Sequence, residues 1–379
     1  MKNVIRVAYF EPDNSALIAG PLRQIVEQLS SDTRVSQVFI APHWKLGPHV
    51  DLVIDCDAET FDHDIYPASE STLLAWLEEN PSTQKLDPIS YQRTSQQLAL
   101  VEIEPGPYLP LLENNSISKA KFIQNSTLKL NEFGELKSRF LAATLPLVFR
   151  LQSLKQHRKS DFFVALSILL AGAGTFYRNH GLGRGFNSFR SHAEFFMVHY
   201  DNDGRIRTHF DNVANKYKAS LDVSIAAILS GDFGNVSDDP ELQSLFSEWM
   251  PIAADCYQRI ENIVATNHDF LVGENIFQDN LKVIAADIPD ELHYGEKKGP
   301  MAIALENDEG LKLLQSPEFM SYRTLINFFY FLLPALNVSP AEKYCICNMT
   351  AATVEGLLDI TWQDIMIPGY TESRKEATA

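Results

Sequence analysis

The chain has 379 residues, 45% of them hydrophobic, and a formal net charge of −17. That length and apolar content support a sizeable core and suggest two domains, with one large domain as the other option. The charge argues against non-specific binding to nucleic acid or anionic lipid and suits a cationic peptide better. The four cysteines, Cys56, Cys256, Cys345 and Cys347, form no CxxC and show no zinc-ligand spacing. They read as buried thiols of a reducing compartment, so the expected location is the cytoplasm. The first residues, Met1 to Arg6, lack the apolar core of a signal peptide. The longest apolar run, Phe162 to Tyr177, is interrupted by Ser167, Gly172, Gly174 and Thr175. It falls short of the roughly 18–20 residues of a membrane span and reads as a buried helix.

In chain order, Val4 to Phe10 reads as a first strand. Leu17 to Leu29 has apolar residues at helical spacing, interrupted at Gly20-Pro21, so regular helix is expected from Pro21. Val38 to Ala41 and Val50 to Ile54 are β-branched apolar runs bounded by Pro or Gly, which predicts a hairpin over residues 36–56. Ser71 to Glu79 reads as a helix with Leu73, Leu74 and Trp76 inward, and Leu98 to Ile103 as another strand. Strand, helix, hairpin, helix, strand is an α+β arrangement: a ferredoxin-like α/β sandwich. Pro105-Gly106-Pro107 breaks it. The expected division is an α+β domain over 1–105, a linker over 106–131, a mainly helical domain over 132–367 and a flexible tail over 368–379.

The helical half begins with Leu136 to Leu154, where Pro146 predicts a kink or split. Asp161 to Arg178 is apolar nearly all round, as a central helix would be. Further helices are predicted over Val213 to Leu229, Leu242 to Val264 and Phe319 to Leu336. Ser339-Pro340-Ala341-Glu342 is a capping box that opens a last helix to about Leu358.

Four stretches carry chemistry-bearing residues. The hairpin loop His43-Trp44-Lys45-Leu46-Gly47-Pro48-His49 concentrates two acid–base groups, an aromatic and a cation at one turn. Gly181 to Glu194 contains GxGxG rather than the dinucleotide fingerprint, followed by Ser188, Arg190, Ser191, His192 and Glu194. On a helix, Ser188, Ser191 and His192 share one face, and Arg190 with Glu194 form an i,i+4 pair on another. This set offers a general base, a cation for a carboxylate and hydroxyl donors. Asp201-Asn202-Asp203-Gly204 is a turn signal between His199 and His209; it predicts a hairpin or a break between helices. The spacing of His192, Glu194, His199 and His209 matches no metal motif, and no metal is expected. Glu291, His293 and Tyr294 lie beside Gly295, where His293 and Tyr294 would exchange protons with a substrate. Tyr108, in Gly106-Pro107-Tyr108-Leu109-Pro110, is a candidate to line a cleft.

The block strand, His43-Trp44, Gly47-Pro48-His49, strand resembles the carboxy-terminal lyase region of lanthipeptide dehydratases and the related thiopeptide pyridine synthases. Gly106 to Leu111 and Ser188 to Glu194 are further points of similarity. The resemblance implies an α+β core that binds a precursor peptide. It also has departures. The lyases place Arg residues on the strand after the histidine segment, where Asp51 and Val53 stand here. His293 stands where an Arg precedes Tyr-Gly, and the late His-x-x-Asn-Arg pattern is replaced by Cys345-Ile346-Cys347-Asn348-Met349. These departures weigh against glutamate elimination and leave pyridine-forming or otherwise repurposed peptide chemistry open.

The expected function is therefore a peptide-modifying enzyme of ribosomal natural-product biosynthesis, lyase-like, acting on or generating dehydroamino acids by elimination or formal cycloaddition. The alternative is a catalytically silent protein that presents a precursor peptide to another enzyme. His192, Arg190, Ser188, Ser191 and Tyr294 are the candidate catalytic residues. His43, Trp44, Lys45, His49, Tyr108, Glu194 and His293 are the candidate substrate-binding residues. No cofactor is implied. The expected partners are a precursor peptide with its leader and, as options, a separate dehydratase or glutamylation subunit and a second copy of the chain; neither nucleic acid nor membrane is expected.

Overall fold

A computed structural model describes residues 1–102, 104–122, 130–273 and 308–366. Contacts divide these residues into two compact units: Met1–Ser153 with Gly273 and Phe331–Asn337, and 154–272 with 308–330 and 338–366.

The first unit is built on a sheet of β1 (Lys2–Ala8), β2 (Gln37–His43), β3 (His49–Asp55) and β4 (Ser116–Lys121), in the order β2-β3-β1-β4, with every neighbouring pair antiparallel. Between β1 and β2 lie α1 (Ser15–Leu17), a π-helical turn (Ile18–Leu22) and α2 (Arg23–Leu29). Gly20, at φ −94° and ψ −105°, is the kink that Gly20-Pro21 forecast. After β3 come α3 (Ala58–Thr60), a second π-helical turn, α4 (Tyr66–Glu79) and α5 (Pro88–Glu102). This is a split β-α-β arrangement, the ferredoxin-like fold that the sequence pattern gives. One sheet face, with Ile5, Val7, Val38, Ile40, Val50, Leu52 and Ile54, packs on Leu22, Ile25, Val26, Leu73 and Leu77. Alternation along the strands turns Arg6, His43, His49 and Asp51 to the other face.

Three expectations need correction. Leu98 to Glu102 is not a strand but completes α5, and Ile103 lies outside the described residues. Asp87 initiates that helix, accepting from the Ser90 N–H at 2.8 Å with Pro88 in the first turn, and its helix-forming residues continue into the apolar run. The fourth strand lies inside the expected linker. Ser-Ile-Ser-Lys-Ala-Lys carries little apolar signal because it is an edge strand with its lysines outward. On α4, Leu73 and Leu77 face inward while Leu74 is 45% exposed.

The helix α6 (Asn131–His157) runs through Pro146, so of the kink or split expected there the split does not occur. The second unit holds α7 (Lys159–Gly174), α8 (Leu182–Tyr200), α9 (Arg205–Ser230), α10 (Pro240–Gly273), α11 (Asp308–Gln315), α12 (Pro317–Tyr330), α13 (Pro340–Leu358) and α14 (Trp362–Met366). Phe162 and every residue from Val164 to Gly174 are buried, so α7 is the core helix its composition forecast. The turn at 201–204 is a break between α8 and α9, with Gly204 at φ 78°. Ser339 and Glu342 form the capping box of α13. No helix among the described residues is long and apolar enough to cross a membrane.

Candidate functional site

In the first unit, β2 and β3 close on the register pair His43–His49, so the loop between them presents Trp44 to Pro48. Leu46 and Gly47 take positive φ values of 66° and 104°. A Cβ on Gly47 would sit 2.8 Å from the Phe10 ring, so glycine is required both by φ and by space. The loop is held by its backbone. Leu112 N–H donates to Leu46 O at 2.8 Å, Tyr9 N–H to Pro48 O at 3.1 Å, and the Tyr91 hydroxyl to Trp44 O at 2.6 Å.

This frame brings the hairpin residues and Tyr108 together. His43 stacks on His49 and on Trp44, at 5.8 and 5.4 Å between ring centroids, and Trp44 stacks on Tyr108 at 6.1 Å. Trp44 Nε1–H donates to Glu102 Oε2 at 2.7 Å. Lys45 Nζ donates to Pro105 O at 2.6 Å and pairs with Glu104 at 3.3 Å, while the Tyr108 hydroxyl donates to Glu104 O. The tautomers follow from the partners. His43 Nδ1 accepts the Lys45 N–H, so its Nε2 carries the proton; His49 Nδ1 lies 2.9 Å from Gly47 O and therefore carries its own. Burial first, then His49, Lys45, Lys137 and Arg6, hold the His43 imidazolium down to about 3. Burial also lowers His49, against the pull of Asp51. Asp51 is engaged by Arg6 in two bonds of 2.8 and 2.7 Å. Both imidazoles are thus neutral at pH 7, which makes this a stacking and hydrogen-bonding surface rather than a charged one.

Sequence reasoning missed three members of this cluster. Glu102 and Glu104 were hidden in a segment read as a strand and a loop. Lys137 lies on α6, far away in sequence. Its Nζ sits 3.9 Å from the Phe331 ring centroid.

In the second unit, α8 carries the Ser188-to-Glu194 motif, and its faces have different fates. Arg190 is 6% exposed; it donates to Asn348 Oδ1 at 2.5 Å and pairs with Glu355. Glu194 is equally buried and takes two bonds from Arg207, at 3.0 and 2.7 Å; the forecast pair Arg190–Glu194 is looser, at 3.8 Å. Ser188 and Ser191 are buried beside them. This network ties α8 to α9 and α13 and engages both terminal nitrogens of Arg190, leaving its Nε without a partner among the described residues.

His192 is different. It is half-buried, and neither ring nitrogen has a hydrogen-bond partner among the described residues. Its ring meets Tyr330 of α12 edge-on at 5.0 Å. Burial, then the charges of Lys343 and Arg323, hold it down to about 3. Arg323, one helix face with Tyr330 two turns on, makes no hydrogen bond or ion pair among the described residues. The Arg323 residue is exposed, and desolvation by the side chains packed around its head group still lowers the guanidinium. The Tyr330 hydroxyl lies 3.3 Å from Cys347 Sγ, and burial pushes both up, Cys347 to about 11. Arg323 and Tyr330 carried no sequence signal, because they come from an apolar helix without a motif.

The described residues gather no set of three His, Cys, Asp or Glu side chains as metal ligands. Tyr294 and His293 lie outside the described residues.

No family model matches the chain, and no curated protein matches it. Solved structures do. The fold is that of a pyridine synthase, TbtD, from thiomuracin biosynthesis, with a TM-score of 0.69, 20% identity, and 95% of this chain and 99% of that chain covered. TsrL is similar as well, with a TM-score of 0.63, 14% identity, and 97% and 99% covered. The fold expected from the hairpin resemblance is therefore the fold found.

Proposed function

We propose that the chain is a peptide-modifying enzyme of ribosomal natural-product biosynthesis, with pyridine-forming cycloaddition on dehydroamino acids as its reaction class. The observation that carries this reading is the likeness in fold to a pyridine synthase over nearly the whole length of both chains. The residues supply a matching chemistry. The stacked His43, Trp44 and Tyr108 offer an aromatic surface with hydrogen-bond donors to a peptide carrying a leader. The reaction needs acid–base assistance and a cation or hydroxyl to polarise an amide.

His192, Arg323 and Tyr330 are assigned those roles. Burial first, then the charges of Lys343 and Arg323, keep His192 unprotonated, and those same cations would stabilise an oxyanion formed beside it. When negative charge develops beside Arg323, the penalty against an imidazolium falls. Proton uptake by His192 and oxyanion formation are thereby coupled. Arg190, Ser188, Ser191 and Glu194 are given a supporting role, orienting α8 and so His192.

The test is mass spectrometry of a candidate precursor peptide, co-expressed with the enzymes encoded nearby, with and without this chain. A mass loss or leader release that requires the chain, and that falls in His192→Ala and Arg323→Gln, supports the assignment. An unchanged peptide that still binds would replace it with the presenting role.

A further inference from the structure

We propose that Cys347 is a positioning residue of the helical cluster: its thiol donates to the Tyr330 hydroxyl oxygen and so turns the phenolic proton outward, toward a carbonyl oxygen of the bound peptide. The substrate part rests on the function proposed above, in which Tyr330 supplies a hydroxyl; the thiol–phenol bond itself rests on the following geometry.

The helix α13 meets the Tyr330 ring with two side chains one turn apart. Lys343 Nζ lies over the ring, 5.4 Å from its centroid, and Cys347 reaches the hydroxyl with its Sγ at 3.3 Å. His192 of α8 meets the same ring edge-on at 5.0 Å. Either atom of the 3.3 Å pair has a proton to give, and burial decides between them. Cys347 is 0% exposed, and the Tyr330 oxygen is the side-chain acceptor it meets among the described residues. The carbonyl four residues back along α13 already takes the Cys347 N–H. Tyr330 is only half-buried, so its own proton can reach a partner outside. An O–H turned to sulfur would enclose the thiol proton without an acceptor of its own. An S–H turned to oxygen satisfies both groups. Burial also keeps the thiol protonated at neutral pH, pushed up to about 11.

A second tyrosine of α12 shows the contrast. Tyr322 is 1% exposed, and its hydroxyl donates to Gly185 O at 2.6 Å. That proton is committed to the backbone of α8. The Tyr330 hydroxyl accepts instead, and its proton stays available. A phenol that accepts a hydrogen bond also donates its own proton more strongly, because linked hydrogen bonds polarise one another. The Lys343 charge over the ring favours the same shift of electron density. Tyr330 thereby becomes a fixed donor for negative charge developing on an amide oxygen. No bond to sulfur is made or broken.

The experiment has two arms. The first is infrared spectroscopy of the full-length protein in the S–H stretching region. Cys347→Ser identifies the band, and Tyr330→Phe is expected to move it to higher frequency. A band that Tyr330→Phe leaves in place overturns the bond. The second arm is turnover of the precursor. Cys347→Val removes the donor and keeps the space filled; kcat is expected to fall roughly 3- to 10-fold with KM within about twofold. Cys347→Ser keeps a donor and should stay within about twofold of the parent. In a Tyr330→Phe background, Cys347→Val should cost nothing further. An equal further loss there would show that Cys347 acts through packing and would overturn the positioning role. A parent chain that leaves the precursor unmodified refutes the proposed function and the substrate part with it, while the infrared arm still decides the bond.

Discussion

The hairpin cluster and the helical cluster are assembled in opposite ways. At the hairpin, four of the grouped side chains come from one turn of seven residues, and the backbone N–H groups of Leu112 and Tyr9 and the Tyr91 hydroxyl hold that turn in place. In the second unit, His192, Arg323 with Tyr330, and Lys343 come from three different helices, and side-chain packing alone sets their distances. The charges differ too. At the hairpin, Glu104 is matched to Lys45, Asp51 to Arg6 and Glu102 to Trp44, while Lys137 has no ion pair among the described residues. Around α8, a buried network joins Arg190 to Asn348 and Glu355, with only its Nε left without a partner among the described residues, on the same helix as His192, whose cationic neighbour Arg323 has no ion pair among the described residues. A matched buried charge is structural cement; an unmatched one is where a ligand gains most.

The sharpest way to break this distinction is Arg190→Met. If the α8 network is structural, losing one partner strands a buried carboxylate and an amide and should destabilise the protein by about 3–5 kcal/mol. Denaturant unfolding reads this directly, and a stable but inactive variant would return Arg190 to the chemistry. Arg323→Gln is the mirror case. It breaks no interaction among the described residues, so the unfolding midpoint should hold while product formation falls ~100-fold. Loss of stability without loss of turnover would reverse the assignment.

The two neutral histidines predict an acid effect shared by both regions. His43 and His192 are held at about 3, below the ordinary value of 6.5. Between those values the unfolded chain binds protons that the folded chain refuses. Stability therefore rises with pH across the window from about 3 to 6.5 and is lost as the pH falls through it. His43→Gln should reduce the loss between about pH 6.5 and pH 4.5 in thermal unfolding; an unchanged slope would place the His43 imidazole in a wetter setting than its stacking implies.

Gly47→Ala tests the hairpin frame. Its φ of 104° and the Phe10 ring predict a loss of about 1–3 kcal/mol, with weaker peptide binding as the loop shifts. The smallest effect belongs to Trp44→Phe. It removes one exposed hydrogen bond to Glu102 while keeping an aromatic ring, so stability should change by less than about 1 kcal/mol and peptide affinity by a few-fold. Calorimetric titration with the leader peptide measures both binding changes.

Much of the first unit was legible because its signals are local. Period-two alternation and a Gly-Pro turn wrote the hairpin and its register, and the working residues fell inside the turn itself. The strand expected at 98–103 failed for a reason that is equally local. A short apolar run has no period of its own, and the Asp87 cap upstream had already committed it to a helix. The motif on α8 was legible as a cluster of polar residues, but not its division into a buried network and one accessible imidazole. That division depends on Asn348 and Glu355, more than a hundred residues away.

By itself, the sequence determined the elements whose stability is decided within a few residues: the β2–β3 hairpin with Gly47 at its turn, the buried helix α7, and the capping box of α13. Only the tertiary structure decided which charges have partners. Arg190 and Arg323 are alike in sequence, each an arginine among apolar residues on a helix. One is enclosed by acceptors and the other faces none among the described residues. An ionic group's role follows from the counter-charges brought to it across the fold, and that is a property of packing, not of local pattern.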